Sequence, residues 1–353
     1  MKILVVGDGH SAIHEVAVVE AFKKLGHQVE AFYWQTYFNS QNPLVRLWQR
    51  IQNKFIIGPT LDRLNAELIN AAVQFNPKLI FIYRGTHITP QTITEIKQIL
   101  PDCVVYGYNN DDPFADGHPP WLWRHFLKSV PKYDLVFAYR HHNLDDFRKI
   151  GARRVELLRS WYLPELHRSS VGEILSHKSD CIFVGHYEDD GRAECLEELI
   201  LNGVHVKLFG PYNGLKKSGW DIPIAKSKLL ARLLPVSYLQ GHDYAKAISS
   251  APIALCFLSK LNKDTYTRRC FEIPAIGAAL FSEYSDDLAT LFIDSKEAVF
   301  FKNKEELVTK VKYYLSHLNE LDEIRIRGQQ RVMQDGHDIY SRLITIIKLV
   351  ELS

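Results

Sequence analysis

Short apolar runs alternate with longer stretches of helical spacing along most of the chain, and this alternation limits the fold more than any other feature. An unbroken apolar run reads as a strand buried on both faces. Strands of that kind joined by amphipathic helices build a parallel sheet covered on both sides. In the first half the pattern predicts strands at Ile3–Val6, Gln28–Tyr33, Leu79–Tyr83, Cys103–Tyr108, Leu135–Ala138 and Val155–Leu158. Helices are expected at Glu15–Leu25, stopped by Gly26, at Asn65–Phe75, and at Pro90–Leu100 with Pro101 just beyond. The alternation pauses over Trp161–Ser176, where Pro164 precedes a Ser-, His- and Glu-rich stretch, and the interdomain linker is placed there.

A second series follows, with strands at Cys181–Val184, Val206–Phe209, Ile253–Phe257, Ala279–Phe281 and Val299–Phe301. Closing helices are expected at Glu305–His317, Glu320–Gln334 and Ile339–Leu349, and Pro211–Pro235 as an irregular, Lys-rich insertion. A chain of 353 residues is longer than one core usually serves. The expected division is 1–165, completed by the last helix within 339–353, and 166–335. Two such halves in tandem bury a ligand between them.

Composition removes several classes of function. With 43 Lys+Arg against 41 Asp+Glu the chain lacks the clustered basic excess that wrapping a nucleic-acid backbone needs. The longest apolar run, Ala251–Leu258, falls well short of the ~20 residues of a membrane span and contains Pro252. The N-terminus leads straight into a Gly-bearing turn, with no apolar signal region or small-residue cleavage site. Cys103, Cys181, Cys195, Cys256 and Cys270 are dispersed within apolar segments and read as reduced core thiols of a cytoplasmic protein. No His-x-x-x-His pair shares a helix face with a carboxylate in metalloprotease fashion, so no metal is expected.

Polar residues collect where each predicted strand of the first half ends: Asp8 and His10, Arg84 and His87, Asn109–Asp112, and Arg140–His142. Ligands of open α/β sheets lie beyond the carboxyl ends of the strands, so this edge is read as one wall of a cleft. Gly7-Asp8-Gly9-His10-Ser11-Ala12 also fits G-x-G-x-x-A after a first strand, with Glu30 in the second strand, which is the dinucleotide pattern. Against it, Asp8 would point a negative charge at the pyrophosphate. A tight strand-to-helix turn is the expected reading.

The strongest signal lies in the second half: Thr267-Arg268-Arg269-Cys270-Phe271-Glu272-Ile273-Pro274-Ala275-Ile276-Gly277-Ala278-Ala279-Leu280-Phe281. It is followed by Glu297-Ala298-Val299-Phe300-Phe301, Glu305-Glu306-Leu307, Tyr313-Tyr314-Leu315, Arg327-Gly328 and Arg331-Val332. This order and spacing resembles the C-terminal domain of group-1-like glycosyltransferases, in the branch that includes the CgeB-like spore-maturation proteins. The resemblance is specific over about 265–335. It is looser over Asp180–Gly185 with Arg192, over Asn109–Pro113 and over Leu166–Arg168. It implies a GT-B fold: two facing Rossmann-like domains with a cleft between them, the nucleotide-sugar donor in the C-terminal one and the acceptor facing the other.

On that resemblance Glu272 holds the ribose hydroxyls, Arg268 and Arg269 meet the diphosphate at a helix N-terminus, and Gly185, Arg192 and Gly277 complete the nucleotide site. The residue chemistry agrees, since a carboxylate accepts two hydroxyls and arginines neutralise a leaving diphosphate without a metal ion. An i,i+3 surface ion pair between Arg269 and Glu272 is the alternative. The better-known retaining relatives carry two glutamates eight residues apart, and here Asp264 stands eight before Glu272, as a donor-sugar contact. An inverting transfer needs a base for the acceptor hydroxyl, and His10 and Asp112 are the candidates.

The reading that follows is a cytoplasmic, metal-independent transferase using a nucleotide-diphosphate sugar, with UDP favoured and no other cofactor. Its acceptor, whether glycan, lipid, small molecule or protein, is left open. A nucleotide-sugar epimerase of the same fold, an NAD-dependent oxidoreductase and a non-catalytic relative are the alternatives. Finally, Pro43–Ile57 puts Leu44, Leu47, Trp48, Ile51 and Phe55 on one helical face beside Arg46, Arg50 and Lys54. Such a helix either lies on a membrane or packs into the N-terminal core, and the core placement is the expectation.

Overall fold

A computed structural model of the chain describes residues 1–167, 179–215 and 219–352. Residues 168–176 of the expected linker, and Lys216 and Lys217 of the insertion, lie outside the described residues. The chain forms two compact units, Met1–Ser160 with Ile339–Ser353, and Trp161–Asp338.

The first unit is an all-parallel six-stranded sheet of order β2-β1-β3-β4-β5-β6. Its strands are β1 (Lys2–Gly7), β2 (Gln28–Tyr33), β3 (Leu79–Tyr83), β4 (Val104–Asn109), β5 (Leu135–Ala138) and β6 (Val155–Leu157). The helices are α1 (Glu15–Lys24), α2 (Pro43–Phe55), α3 (Pro59–Phe75), α4 (Pro90–Ile99), α5 (Arg124–Ser129) and α6 (His141–Lys149). Residues 3–7 and 79–83 are apolar without alternation because helices cover both faces of the sheet, and every residue of β3 is buried.

The second unit holds a parallel five-stranded sheet of order β11-β10-β9-β7-β8. These are β7 (Cys181–Val184), β8 (Val206–Phe209), β9 (Ile253–Cys256), β10 (Ala279–Glu283) and β11 (Val299–Phe301). Around them run α7 (Pro164–His167), α8 (Arg192–Leu201), α9 (Asp221–Lys226), α10 (Gly241–Ile248), α11 (Arg269–Ile276), α12 (Asp286–Leu291), α13 (Lys304–Ser316) and α14 (Leu318–Gln334). The last helix, α15 (Ile339–Glu351), packs on α1 in the first unit, where the Lys24 ammonium lies 5.9 Å from the Tyr340 ring.

Each sheet has a switch point, where successive crossovers leave in opposite directions. It falls between β1 and β3 in the first unit and between β7 and β9 in the second. Loops leaving the carboxyl ends of those strands frame a crevice in open α/β sheets. All five cysteines are free and buried, with the Cys256 and Cys270 sulfurs 3.7 Å apart.

Two expectations are corrected here. The insertion is not simply irregular: it carries α9 and the wholly buried Trp220, whose Nε1 donates to the Gly185 carbonyl at 2.8 Å. Nor is Pro43–Ile57 a core helix, because Leu44 (79 %), Leu47 (58 %) and Trp48 (54 %) are largely solvent-exposed. Among the described residues no helix is long and apolar enough to cross a membrane.

Candidate active site

In the second unit the switch-point loops bring together Gly185 after β7 and the start of α11, which follows β9. A Cβ at Gly185 would lie 3.2 Å from Arg269 Nη2 and 2.7 Å from the Phe183 ring, so the guanidinium passes where a side chain would otherwise stand. Among the described residues no carboxylate lies within ion-pairing distance of Arg269. The first-turn amides of α11 are already engaged: Arg269 N donates to Thr267 Oγ1, Cys270 N to the Thr267 carbonyl, and Phe271 and Glu272 N to the Arg268 carbonyl. What this helix end offers an anion is therefore the Arg269 side chain and the dipole behind it.

Arg268 does different work. Its Nε lies 2.5 Å from Glu272 Oε1, one turn along the helix, while Tyr244 of α10 donates its hydroxyl to Glu272 Oε2 at 3.0 Å. Glu272 is 1 % exposed. Burial pushes its carboxyl up, yet Arg268 above all, with Arg269 and the Tyr244 hydroxyl among the lesser causes, holds it below the usual carboxylate range. His167 stands 3.7 Å from the same oxygen, and its Nδ1 accepts from Leu163 N at 3.1 Å. Burial lowers the His167 pKa, consistent with a neutral ring whose Nδ1 is an acceptor. Both Glu272 oxygens thus have partners inside the unit. Tyr244 lies 28 residues before Glu272, a separation that no local spacing rule covers.

Two further residues expected at the nucleotide make contacts within the protein itself. Arg192 is 4 % exposed and saturated: Nε and Nη2 fork onto Asp190 at 2.8 and 2.5 Å, and Nη1 donates to the His186 carbonyl at 2.6 Å. It fixes the loop after Gly185 and has few donors left for a phosphate. Gly277 caps the far end of α11 with φ +95°, about 12 Å of helix rise from Arg269, and its carbonyl accepts from Arg325 at 3.0 Å. Asp264 is half-buried on the loop between β9 and α11, its amide bonded to the Ser259 carbonyl at 2.9 Å.

In the first unit the loop after β1 forms a compact acidic turn. Glu15, at the start of α1 and 2 % exposed, folds back under it and accepts from Gly9 N at 2.8 Å. A Cβ at Gly9 would meet the Tyr33 ring at 2.6 Å, and its φ of +84° is one that glycine tolerates. Burial and the neighbouring Asp8 carboxylate raise Glu15 to about 7, whereas Asp8 is lowered by Glu15 and His10 despite its own burial. Below about pH 7 the proton of this pair therefore sits on Glu15 in preference to Asp8. Asp8 Oδ1 meets His10 Nδ1 at 2.5 Å, and the His10 side chain is half-exposed. Ligating atoms of Asp8, His10 and Glu15 lie within 4.8 Å of one another, close enough for a cation, but these mutual contacts already engage them. The amides that would cradle a pyrophosphate face the Glu15 carboxyl, so the turn does not suit NAD.

Asp112, the other expected base, is a buried anchor. It is 1 % exposed and accepts from Asn143 Nδ2 at 3.0 Å, Phe114 N at 3.0 Å and His142 Nε2 at 3.1 Å. These contacts hold its carboxyl below the ordinary range in spite of burial. His87 is likewise structural: Asn53 and Thr86 bond its two nitrogens at 2.8 and 2.9 Å, it stacks on Trp34, and burial lowers it to about 3.

Two parallel α/β units with polar switch points, the C-terminal helix returning to the first, define the GT-B architecture of glycosyltransferases. Residues 192–348 match the sequence model of a family described as "Glycosyl transferase-like". No curated protein matches the chain significantly. Among solved structures, sucrose-phosphate synthase from Thermosynechococcus elongatus is similar at a TM-score of 0.72 and 12% identity, covering 100% of this chain and 98% of that one. Anabaena Alr3699/HepE, solved with UDP and glucose, gives 0.67 at 12% identity with 100% of both chains covered. A glycosyltransferase from Rickettsia africae gives 0.68 at 13%, covering 99% and 97%. The chain thus has the GT-B fold, and its residues 192–348 are similar to the glycosyl-transferase-like family.

Proposed function

We propose that the protein transfers a sugar from a UDP-sugar to an acceptor hydroxyl without a metal ion. The observation that carries this reading is Arg269, a guanidinium with no carboxylate partner among the described residues, set at the switch point of the second sheet against a glycine that leaves room for it. A leaving diphosphate needs a positive charge of that kind, and fork-shaped donors serve it without Mg²⁺. The HepE complex with UDP-glucose, though of a protein only 12% identical, favours UDP over other nucleotides. Glu272, kept ionised by Arg268, is the proposed ribose contact, and Asp264 the proposed sugar contact.

His10 is the proposed acceptor base. Its Nδ1 proton goes to Asp8, leaving Nε2 free to take a proton, and it sits at the switch point of the first sheet. Asp112 is withdrawn from that role by its burial and its three donors.

Thermal shift and calorimetry with UDP, GDP and TDP test the donor half. UDP should stabilise the protein most, and Arg269→Ala should weaken UDP at least about tenfold, the scale of one charge-assisted contact. Equal binding by wild type and Arg269→Ala, or no response to any nucleoside diphosphate, would remove the proposal. His10→Ala should lower kcat about 100-fold or more while leaving UDP affinity unchanged. Undiminished turnover would assign the base elsewhere.

A further inference from the structure

Helix α2 is amphipathic in the reverse sense. A surface helix ordinarily buries its apolar stripe and shows water its polar one. Here the residues turned toward the protein are polar. Gln49 donates to the Tyr37 carbonyl at 2.8 Å and accepts from Ser40 N at 2.9 Å, and Gln52 accepts from Thr60 N at 2.8 Å. Asn53 bonds His87 Nε2 at 2.8 Å. Leu44, Leu47, Trp48, Ile51 and Phe55 line the exposed side, and Ile57 continues it just beyond the helix. The orientation is fixed by hydrogen bonds, with Asn42 capping Leu44 N at 3.0 Å and Pro43 at the first helical position.

Charge decides what this face meets. At 100° per residue, Arg46, Arg50 and Lys54 form a stripe along one border of the apolar side. Between Glu30 and Asp62 the chain has no acidic residue at all. A second copy docking antiparallel about a two-fold axis would bring the like charges of the two stripes together, and a parallel one would leave each stripe without an acidic partner on the helix. A negatively charged plane meets no such penalty: the apolar side chains enter it, Trp48 sits at headgroup depth, and the cations stay at the phosphates.

We infer that α2 is a docking helix for an anionic lipid surface, lying flat with Leu44, Leu47, Trp48, Ile51 and Phe55 inserted. The inference rests on α2 alone and is independent of the donor and base assignments. The helix would bring the first unit, whose loops are the proposed acceptor side, to a membrane, where a lipid-linked hydroxyl is the acceptor class in reach.

The full chain is sedimented with vesicles of phosphatidylcholine plus phosphatidylglycerol, and with phosphatidylcholine alone, at low and high salt. The expected result is binding to the anionic vesicles that weakens with salt and is far poorer on neutral ones. Neutralising the stripe (Arg46→Gln, Arg50→Gln, Lys54→Gln) should weaken it about 100-fold, at a few-fold for each cation near the surface. Leu47→Glu with Trp48→Glu should abolish it. Circular-dichroism spectra and melting temperatures close to those of wild type report that both variants fold. Absence of binding to anionic vesicles, or binding equal in wild type and both variants, overturns the inference. So does a concentration-dependent dimer that Leu47→Glu dissolves.

Discussion

Arg268 and Arg269 are neighbours in sequence and unlike in role. Arg268 neutralises a buried carboxylate, while Arg269 meets none among the described residues, because a helix turns successive side chains 100° apart. Glu272→Gln keeps the shape but leaves the Arg268 charge facing a neutral amide. A fully buried pair broken this way costs about 3–5 kcal/mol. With the Arg268 side chain a quarter exposed, a loss of about 2–3 kcal/mol in urea-denaturation stability is expected. Glu15 makes a prediction of the opposite kind. Its folded pKa of about 7 lies above its unfolded value, so the native state holds a proton that the unfolded chain gives up. That contribution is complete below about pH 4.5 and is lost as pH rises toward 7. Asp8, shifted downward, titrates below this window and does not blur it. Melting temperatures of wild type and Glu15→Gln measured from pH 5 to 8 should diverge, wild type falling further with rising pH. Parallel curves would mean that Glu15 carries no proton in the fold.

At the scale of elements, the strands were legible almost to the residue because burial on both faces forces an unbroken apolar run. Helices α5, α6, α10 and α12 were not, since each is short and carries too few apolar turns to stand out from a loop; α8, as long as α1, was missed as well. The site was legible only in part. The Arg268–Glu272 stretch announced itself through a longer pattern in register, yet that pattern mixes ligand groups with scaffold. Arg325 and Gln329 of α14 donate to the carbonyls of Gly277 and Ala275 at 3.0 and 3.1 Å, clamping the end of α11 far from Arg269. A Cβ on Gly328 would collide with the Glu297 carbonyl. Gly328→Ala should therefore cost about 1–3 kcal/mol of stability through overpacking. UDP affinity, measured by calorimetry on the folded fraction, should stay within a factor of about two, below the tenfold scale of a lost contact. Arg192 illustrates the reverse problem: an arginine beside a glycine loop suggests a phosphate, and only coordinates reveal that Asp190 already holds it. The outward face of α2 was misread because spacing shows that a helix has an apolar side, not which way it turns.

On the scale of the whole molecule, the family match over 192–348 runs past Asp338 into α15, so the sequence pattern includes the helix that returns to the first unit. The second unit nonetheless contains its own sheet and a contiguous apolar core that runs from Cys181 to Ile324. Expressed alone, residues 161–338 should unfold cooperatively and be stabilised by UDP in a thermal-shift assay. A fragment that stays unfolded would show that α15 or the first sheet is needed to complete it.

The two ends of that unit are joined: Tyr162 pairs with Asp338 in an isolated bridge, and Tyr162 N donates to the His337 carbonyl at 3.1 Å. The chain thus leaves the first sheet and comes back to it through a single doorway. Topologically, 161–338 is a cassette set into a host fold, removable or exchangeable with two splices at one place. A chimera built there would keep the loops around His10 and take its nucleotide preference from whichever relative donated the cassette.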